Sequence, residues 1–214
     1  MHLSTFLPIP AFITKGECPR FSLALVPAIC AIVLGASVVV APAKADEAAA
    51  MQAFLESGSM AFLSDPVLVS AVTAQNATNA RLAQSDIDAL DQAWRAEVGQ
   101  AATPTIDAVL GSTASDFLRA QLDAAPGTFT EIFVMDAMGL NVATATVTSD
   151  YWQGDEEKFT ETYPKGPGAA HFGGIELDVS TGTYQAQISQ TLVDPTTGEA
   201  IGAVTVGVNA EALF

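Results

Sequence analysis

Residues 148–159, reading Thr-Ser-Asp-Tyr-Trp-Gln-Gly-Asp-Glu-Glu-Lys-Phe, gather the side chains of this chain best suited to holding a small molecule. Tyr151 and Trp152 offer flat apolar area with one O–H and one N–H, the combination through which a small pocket gains both affinity and orientation. Asp150, Asp155, Glu156 and Glu157 can hold a cation, to which the aromatic faces add about 0.5–2 kcal/mol. Lys158 can instead pair with a ligand carboxylate. Glu156 and Glu157 are adjacent, so one of them turns to solvent. The same residues also suit a loop pinned to the core by Trp152, and residue chemistry leaves both readings open.

Other reactive side chains are sparse. His171 is the single histidine after residue 45; its ordinary pKa near ~6.5 allows a pH-sensitive contact, and a plain edge position fits equally. One histidine and no cysteine in that stretch exclude a thiolate or multi-histidine zinc site. Ser180 and Ser189 lack a nucleophile-elbow glycine pattern. The spacing of Asp150, Asp155 and Glu156 misses the Asp-x-Asn-x-Asp-Gly calcium loop. No glycine-rich phosphate cradle precedes a helix, and the carboxylates are too numerous for a glycosidase pair to be chosen. The expectation is a chain that is not an enzyme and carries no cofactor or metal.

The address of the chain is written at its start. Lys15 and Arg20 precede an almost wholly apolar run over residues 21–40, followed by Ala41-Pro42-Ala43-Lys44-Ala45. Small residues at these positions predict a signal peptide over 1–45 with cleavage after Ala45. The run is also long enough for an uncleaved anchor. Cys30 lies inside the apolar run after Ile29, which does not suit a lipoprotein. Both cysteines, Cys18 and Cys30, fall in this leader, so the exported part holds no thiol. Lys15, Arg20 and Lys44 account for three of the 8 Lys and Arg, and Glu17 for one of the 24 Asp and Glu. Residues 46–214 therefore carry 5 basic against 23 acidic side chains, a surface that repels nucleic acid and modestly favours cationic or neutral ligands. The expected location is the periplasm or the cell exterior.

Residues 46–127 read as helical and 128–214 as a sheet. Met51, Phe54, Leu55, Ala61 and Phe62 recur at helical spacing. Asp65-Pro66 restarts the helix with a cap and a first-turn proline, and Val67, Leu68, Ala71 and Val72 continue the stripe to about residue 77. Ser85 caps a third helix that carries Ile87, Leu90, Trp94 and Val98 on one face, with Trp94 as core. Shorter helices are expected at 105–110 and 115–124. Three Asp-to-Gly turns, at 136–139, 178–182 and 194–198, then separate strands at 129–135, 141–147, 170–177, 183–193 and 200–208. Strand alternation places Tyr184, Ala186 and Ile188 on one face and Gln185, Gln187 and Ser189 on the other. Tyr184 is a candidate for the ligand face because its hydroxyl needs a partner. Cross-strand packing is the alternative. The fold class is α+β, five antiparallel strands with the helices packed on one face.

Three stretches carry a resemblance to a known family: 129–139 (FTEIFVMDAMG), 148–156 (TSDYWQGDE), and Tyr184 to Ser189 followed by VDPTTGEAIGAVTVGV at 193–208. The chain resembles the extracytoplasmic PAS-like sensor domains known as Cache or PDC domains, in the stand-alone, secreted single-domain form. In that family an Asp-x-x-Gly turn ends the first strand, an Asp-Tyr-aromatic segment follows the second, and the last hairpin ends in a glycine-punctuated strand. The resemblance implies a PAS-like sheet with its ligand between the sheet and the segment after the second strand. It thus points to Asp150, Tyr151, Trp152, Asp155, Lys158 and Tyr184 as ligand-binding residues. Family members are usually wired to a kinase, cyclase or chemotaxis module, whereas this chain ends at Phe214, so a membrane receptor, kinase or transporter is the expected partner. The helix from Met51 either pairs two copies in a homodimer or covers its own sheet. A structural or adaptor module with a self-filled pocket, or an exported hydrolase, are the alternative functions.

Overall fold

The Asp65 carboxylate accepts the Val67 amide at 2.9 Å and Pro66 occupies the first turn of the helix that follows, as their residue types require. A computed structural model describes residues 41–178 and 182–214, with 41–45 given by their backbone alone. The apolar run at 21–40 and both cysteines lie outside the described residues, as does the tip of the 178–182 turn. Among the described residues five helices precede the sheet: α1 (Ala41–Glu56), α2 (Pro66–Asn79), α3 (Gln84–Glu97), α4 (Pro104–Leu110) and α5 (Thr113–Ala124), with a 3-10 turn at Ala61–Ser64. Gly58, at φ 82°, separates α1 from that turn, so the stripe expected as one helix is two pieces. The start of α3 also differs from expectation. Asp86 reaches back to accept the Ala83 amide at 2.9 Å, so Ala83 holds the cap position expected for Ser85 and the helix starts two residues earlier, at Gln84. Among the described residues no helix is long and apolar enough to cross a membrane.

The sheet is antiparallel, in the order β2 (Asn141–Thr144), β1 (Phe129–Met135), β6 (Ala200–Asn209), β5 (Thr183–Val193), β3 (Ala170–Phe172), and β4 (Glu176–Asp178) also pairs with β5. Six strands stand where five were expected, because the third breaks into β3 and β4 around Gly173-Gly174. Glycines offer no side chain to pack on a pleated surface. The Gly173 amide still donates to the Gln187 carbonyl at 2.8 Å, which holds the break against β5. A short helix α6 (Glu157–Thr160) and a 3-10 turn at Tyr163–Lys165 lie in the connection between β2 and β3.

The two faces of the sheet bury different things. Ile132, Val134, Ala186, Ile188, Leu192, Val204, Val206 and Val208 meet Met51, Leu63, Leu68, Val72 and Leu118 of the helical layer. Full burial of a side chain such as Leu68 or Val72 stabilises by roughly 1.5–3 kcal/mol. On the opposite, outer face Phe133, Met135 and Ala203 lie under Phe159 and Tyr163. There Ser189 and Thr205 share a buried hydroxyl contact at 3.0 Å. The row of Gln185, Gln187 and Ser189 therefore faces the long connection, and the row of Tyr184, Ala186 and Ile188 faces the helices. Met51 and Phe54 of α1 belong to the chain's own core, with Phe54 edge-on to Phe129 at 6.2 Å.

Gly202 shows why the last strand carries glycine. A Cβ there would run into the Met135 carbonyl across the β1–β6 ladder and crowd Val72 at 3.2 Å. Backbone cannot yield as a flexible side chain can. Gly202→Ala is expected to lower unfolding free energy by about 1–3 kcal/mol in chemical denaturation, whereas Gly174→Ala, whose Cβ meets nothing within 4 Å, should be close to neutral.

Candidate functional site

The segment after β2 is held by backbone geometry before any side chain acts. Leu140 and Trp152 form an antiparallel bridge, the Asn141 amide donates to the Tyr151 carbonyl at 3.0 Å, and the Gln153 amide to the Gly139 carbonyl at 2.8 Å. Residues 151–153 thus cap the edge at the start of β2. From α3, Asp91 fixes the position: Oδ1 accepts the amides of Tyr151 at 2.9 Å and Trp152 at 3.0 Å, while Oδ2 pairs with Arg95 Nε at 2.6 Å. Asp150 completes the cluster through its carboxylate, 3.4 Å from Arg95 Nη2. The hydrogen bond to Asp91 and the charge of Asp150 raise the Arg95 pKa further. The Asp150 carbonyl collects Asn141 Nδ2, Thr148 Oγ1 and Gln153 Nε2 at 2.7–3.0 Å.

Both aromatics of the segment serve packing. Trp152 donates its Nε1 hydrogen to the Met138 carbonyl at 2.9 Å, bracing the β1–β2 turn, and its indole leaves no room for a Cβ at Gly154. Tyr151 stacks on Trp94 with ring centroids 5.2 Å apart and an interplanar angle of 20°. Trp94 is fully buried, as its helical spacing implied, and donates to the Thr148 carbonyl at 2.8 Å. Burial, assisted by the negative charge of Asp136, pushes the Tyr151 phenol up to about 12.

Beyond Gly154 the chain turns onto the outer face and forms one wall of a cleft of about 550 Å³. Asp155, Glu156, Glu157 and Lys158 supply this wall; Gln185 and Gln187 supply the sheet side, and His171 with Glu176 the far side. Lys158 is held in place: its Nζ lies 2.9 Å from Glu156 Oε2, 3.3 Å from Gln153 Oε1 and 5.4 Å above the Phe133 ring. Beneath the amides, Glu131 Oε1 accepts from Gln187 Nε2 at 2.8 Å and from Gln185 Nε2 at 3.3 Å, and the Thr130 hydroxyl donates to Gln185 Oε1. His171 Nε2 stands 3.8 Å from Glu157 Oε2.

The structure therefore divides the residues singled out in the sequence. Asp155 and Lys158 line the outer cleft. Asp150 faces Arg95, Trp152 braces a turn, and Tyr151 points to the helix side. Tyr184, 60% exposed, stands on the helix-facing row near the start of β5 and lines neither the outer cleft nor the helix-side groove. Among the described residues no three His, Cys, Asp or Glu side chains gather as a metal site. Gln185, Gln187, Glu131 and Glu176 were missed; strand alternation had put the two glutamines together, but the face they shared was unassigned.

Two outcomes follow from this geometry. Asp91→Ala leaves two buried amides unsatisfied and should cost roughly 2–4 kcal/mol in denaturant unfolding. For Tyr151, the unfolded phenol ionises near 10.0 and the folded one only near about 12. The folded state thus keeps a proton that the unfolded state releases. This stabilisation is complete below pH 10 and drains away as pH rises toward 12, by roughly 2–3 kcal/mol. Tyr151→Phe should flatten that alkaline loss in stability curves taken across the range.

No protein-family model matches the chain, and no curated protein matches it in sequence. Solved structures similar to it include sensor and ligand-binding domains. The sensor domain of the V. cholerae histidine kinase DctB is 12% identical at a TM-score of 0.38, over 79% of this chain and 55% of that one. The ligand-binding domain of the Campylobacter jejuni chemoreceptor Tlp3, in complex with 4-methylisoleucine, is 12% identical at a TM-score of 0.37, over 77% and 62%. That of the Pseudomonas fluorescens chemoreceptor CtaA, in complex with L-valine, is 16% identical at 0.34, over 50% and 48%. The chain spans 48 to 62% of the length of these domains.

Proposed function

We propose that this chain is an extracytoplasmic sensory domain that binds a small, donor-rich or positively charged molecule in the outer cleft and reports it through a partner protein. The observation that carries this reading is the composition of the cleft and its place between the sheet and the 155–158 wall. Asp155, Glu156, Glu157 and Glu176 face one cation, Lys158, which is already bonded to Glu156 and Gln153. Glu131 takes the Gln187 Nε2 hydrogen, which leaves the Gln187 Oε1 as an acceptor toward the cleft. Acceptors predominate, so a ligand rich in N–H groups suits the site, and the net charge of −16 adds a field in the same direction.

A ligand held there touches the sheet through β5 and the wall through 155–158. Binding selects the conformations in which the two are clamped together, a population shift that alters the surface shown to a partner. A membrane receptor, kinase or transporter in the same compartment is the partner this reading requires, with a homodimer as a further means of readout.

Thermal-shift measurements with diamines, amino acids, carboxylates and purines test the reading. Amine-bearing compounds should stabilise the fold progressively with concentration, by about 2.7 kcal/mol at a hundredfold excess over Kd, read as a rise in melting temperature. Glu176→Gln and Glu157→Gln, both at exposed positions, should each weaken binding about tenfold, the scale of one charge-assisted hydrogen bond, without changing the ligand-free melting point. Stabilisation by carboxylates alone, or by nothing in the panel, would overturn it.

A further inference from the structure

A second cavity, of about 830 Å³, opens on the helix side of the molecule between α2 and the α4–α5 pair. Its walls are built of small side chains: Val67, Ala71 and Ala74 of α2 and Ala108 and Val109 of α4 supply apolar surface, and four Ser and Thr side chains line it too. Alanine keeps these helices from filling the space between them. At the inner end stands Tyr151, 9% exposed, with its ring fixed on Trp94 and its amide on Asp91. Its hydroxyl has no hydrogen-bond partner among the described residues. Among the described residues the fully enclosed side-chain polar atoms without a partner are Asn141 Oδ1, Thr144 Oγ1 and Thr191 Oγ1. The Tyr151 hydroxyl is not one of them, so it retains contact with the groove.

The polar groups around that hydroxyl limit what can sit against it. Asp136, fully buried, has its carboxylate occupied by four donors: the Met138 and Leu140 amides, Gln75 Nε2 and Asn79 Nδ2, all at 2.7–3.0 Å. It offers a ligand no free lone pair in good geometry, yet its charge opposes any anion brought near. With their N–H groups directed at Asp136, Gln75 and Asn79 turn their carbonyl oxygens elsewhere, and both residues line the groove. The phenol stays protonated to about 12 and is therefore a permanent donor. A fixed phenol donor at the inner end of a groove lined by small apolar and neutral polar side chains is the polarity of a site for a neutral molecule with a single polar group.

We propose that the groove between α2 and α4–α5 is a second small-molecule site, which takes a neutral, largely apolar compound bearing one hydroxyl or amide, anchored on the Tyr151 hydroxyl. It lies on the opposite side of the sheet from the outer cleft and does not rest on that cleft binding anything. The two are joined through one strand of chain, because Tyr151 and residues 155–158 belong to the same segment.

Cyclohexanol and benzamide are suitable probes, with cyclohexanecarboxylate as the anionic control. Titrated into the purified protein at millimolar concentration and followed by two-dimensional NMR, the neutral probes should shift the methyl signals of Ala74, Ala108 and Val109. Signals of 155–158 and of Gln185 and Gln187 should move less. Tyr151→Phe, which keeps the stacking on Trp94, should weaken both probes roughly tenfold. Ala74→Phe, at an exposed position, should block them while leaving the rest of the spectrum in place. Absence of shifts for both probes, equal affinity in Tyr151→Phe, equal binding of the carboxylate, or shifts confined to the outer cleft would each overturn the proposal.

Discussion

The carboxylate of Asp91 decides where the connection after β2 runs, and the arrangement of both cavities depends on it. One oxygen takes two successive backbone amides, of Tyr151 and Trp152, while the other holds Arg95. Two adjacent amides aimed at one acceptor leave the chain a single path past the end of α3. That path places the Tyr151 ring on Trp94, sets Trp152 against the β1–β2 turn, and delivers Gly154 to the point where the chain passes onto the outer face. A neutral side chain at Asp91 would hold the amides less firmly, because a charged acceptor forms the stronger hydrogen bond.

The same path solves the problem of an exposed sheet edge. β2 is only four residues long and lies at one end of the strand order. Its outward amides would invite pairing with another chain; the extended stretch at 151–153 takes the Asn141 amide and the Ser115 hydroxyl oxygen takes that of Thr144 instead. The segment then covers Phe133 and Met135 with Phe159 and Tyr163, so the outer face has an apolar floor near β1 and a polar cleft near β5. Closing the edge and building the cleft wall are thus consecutive tasks of one connection. This is why aromatic and acidic residues stand side by side in it.

Much of the fold was legible because its signals are local. Asp65-Pro66 stops and starts helices through a cap and a fixed φ; the turns at 136–139 and 194–198 need only an Asp and a Gly; β1 and β5 have the expected limits and β6 runs one residue longer. The errors were local as well. A glycine pair divided the third strand, and the reach of Asp86 moved the start of α3. The site was less legible because it depends on which face each strand presents. Periodicity grouped Gln185 with Gln187 and Tyr184 with Ala186, but which row met the helices was set by packing among elements far apart in sequence. Nor could residue types reveal that Tyr151 would be claimed by Trp94 and Asp91, some sixty positions away. An acid on a helix reads as solvated surface until its partner is known.

Charge balance explains how these acids can be buried at all. With 8 Lys and Arg against 24 Asp and Glu, most carboxylates cannot have a cation, and the structure satisfies its enclosed ones mainly with amide N–H groups, Arg95 adding a cation at Asp91. Asp136 has two backbone amides and two side-chain amides. At Glu97, burial works to raise the carboxyl pKa, but the Ile106 amide and the contacts from Thr105 outweigh it and hold the group below its usual range, which fastens α3 to the start of α4. Neutral donors stabilise a carboxylate without cancelling its charge. The negative potential therefore persists across the molecule, and Lys158, the one cation in the outer cleft, is engaged by Glu156. A fold that neutralised its carboxylates with lysines would have lost the negative field across this cleft.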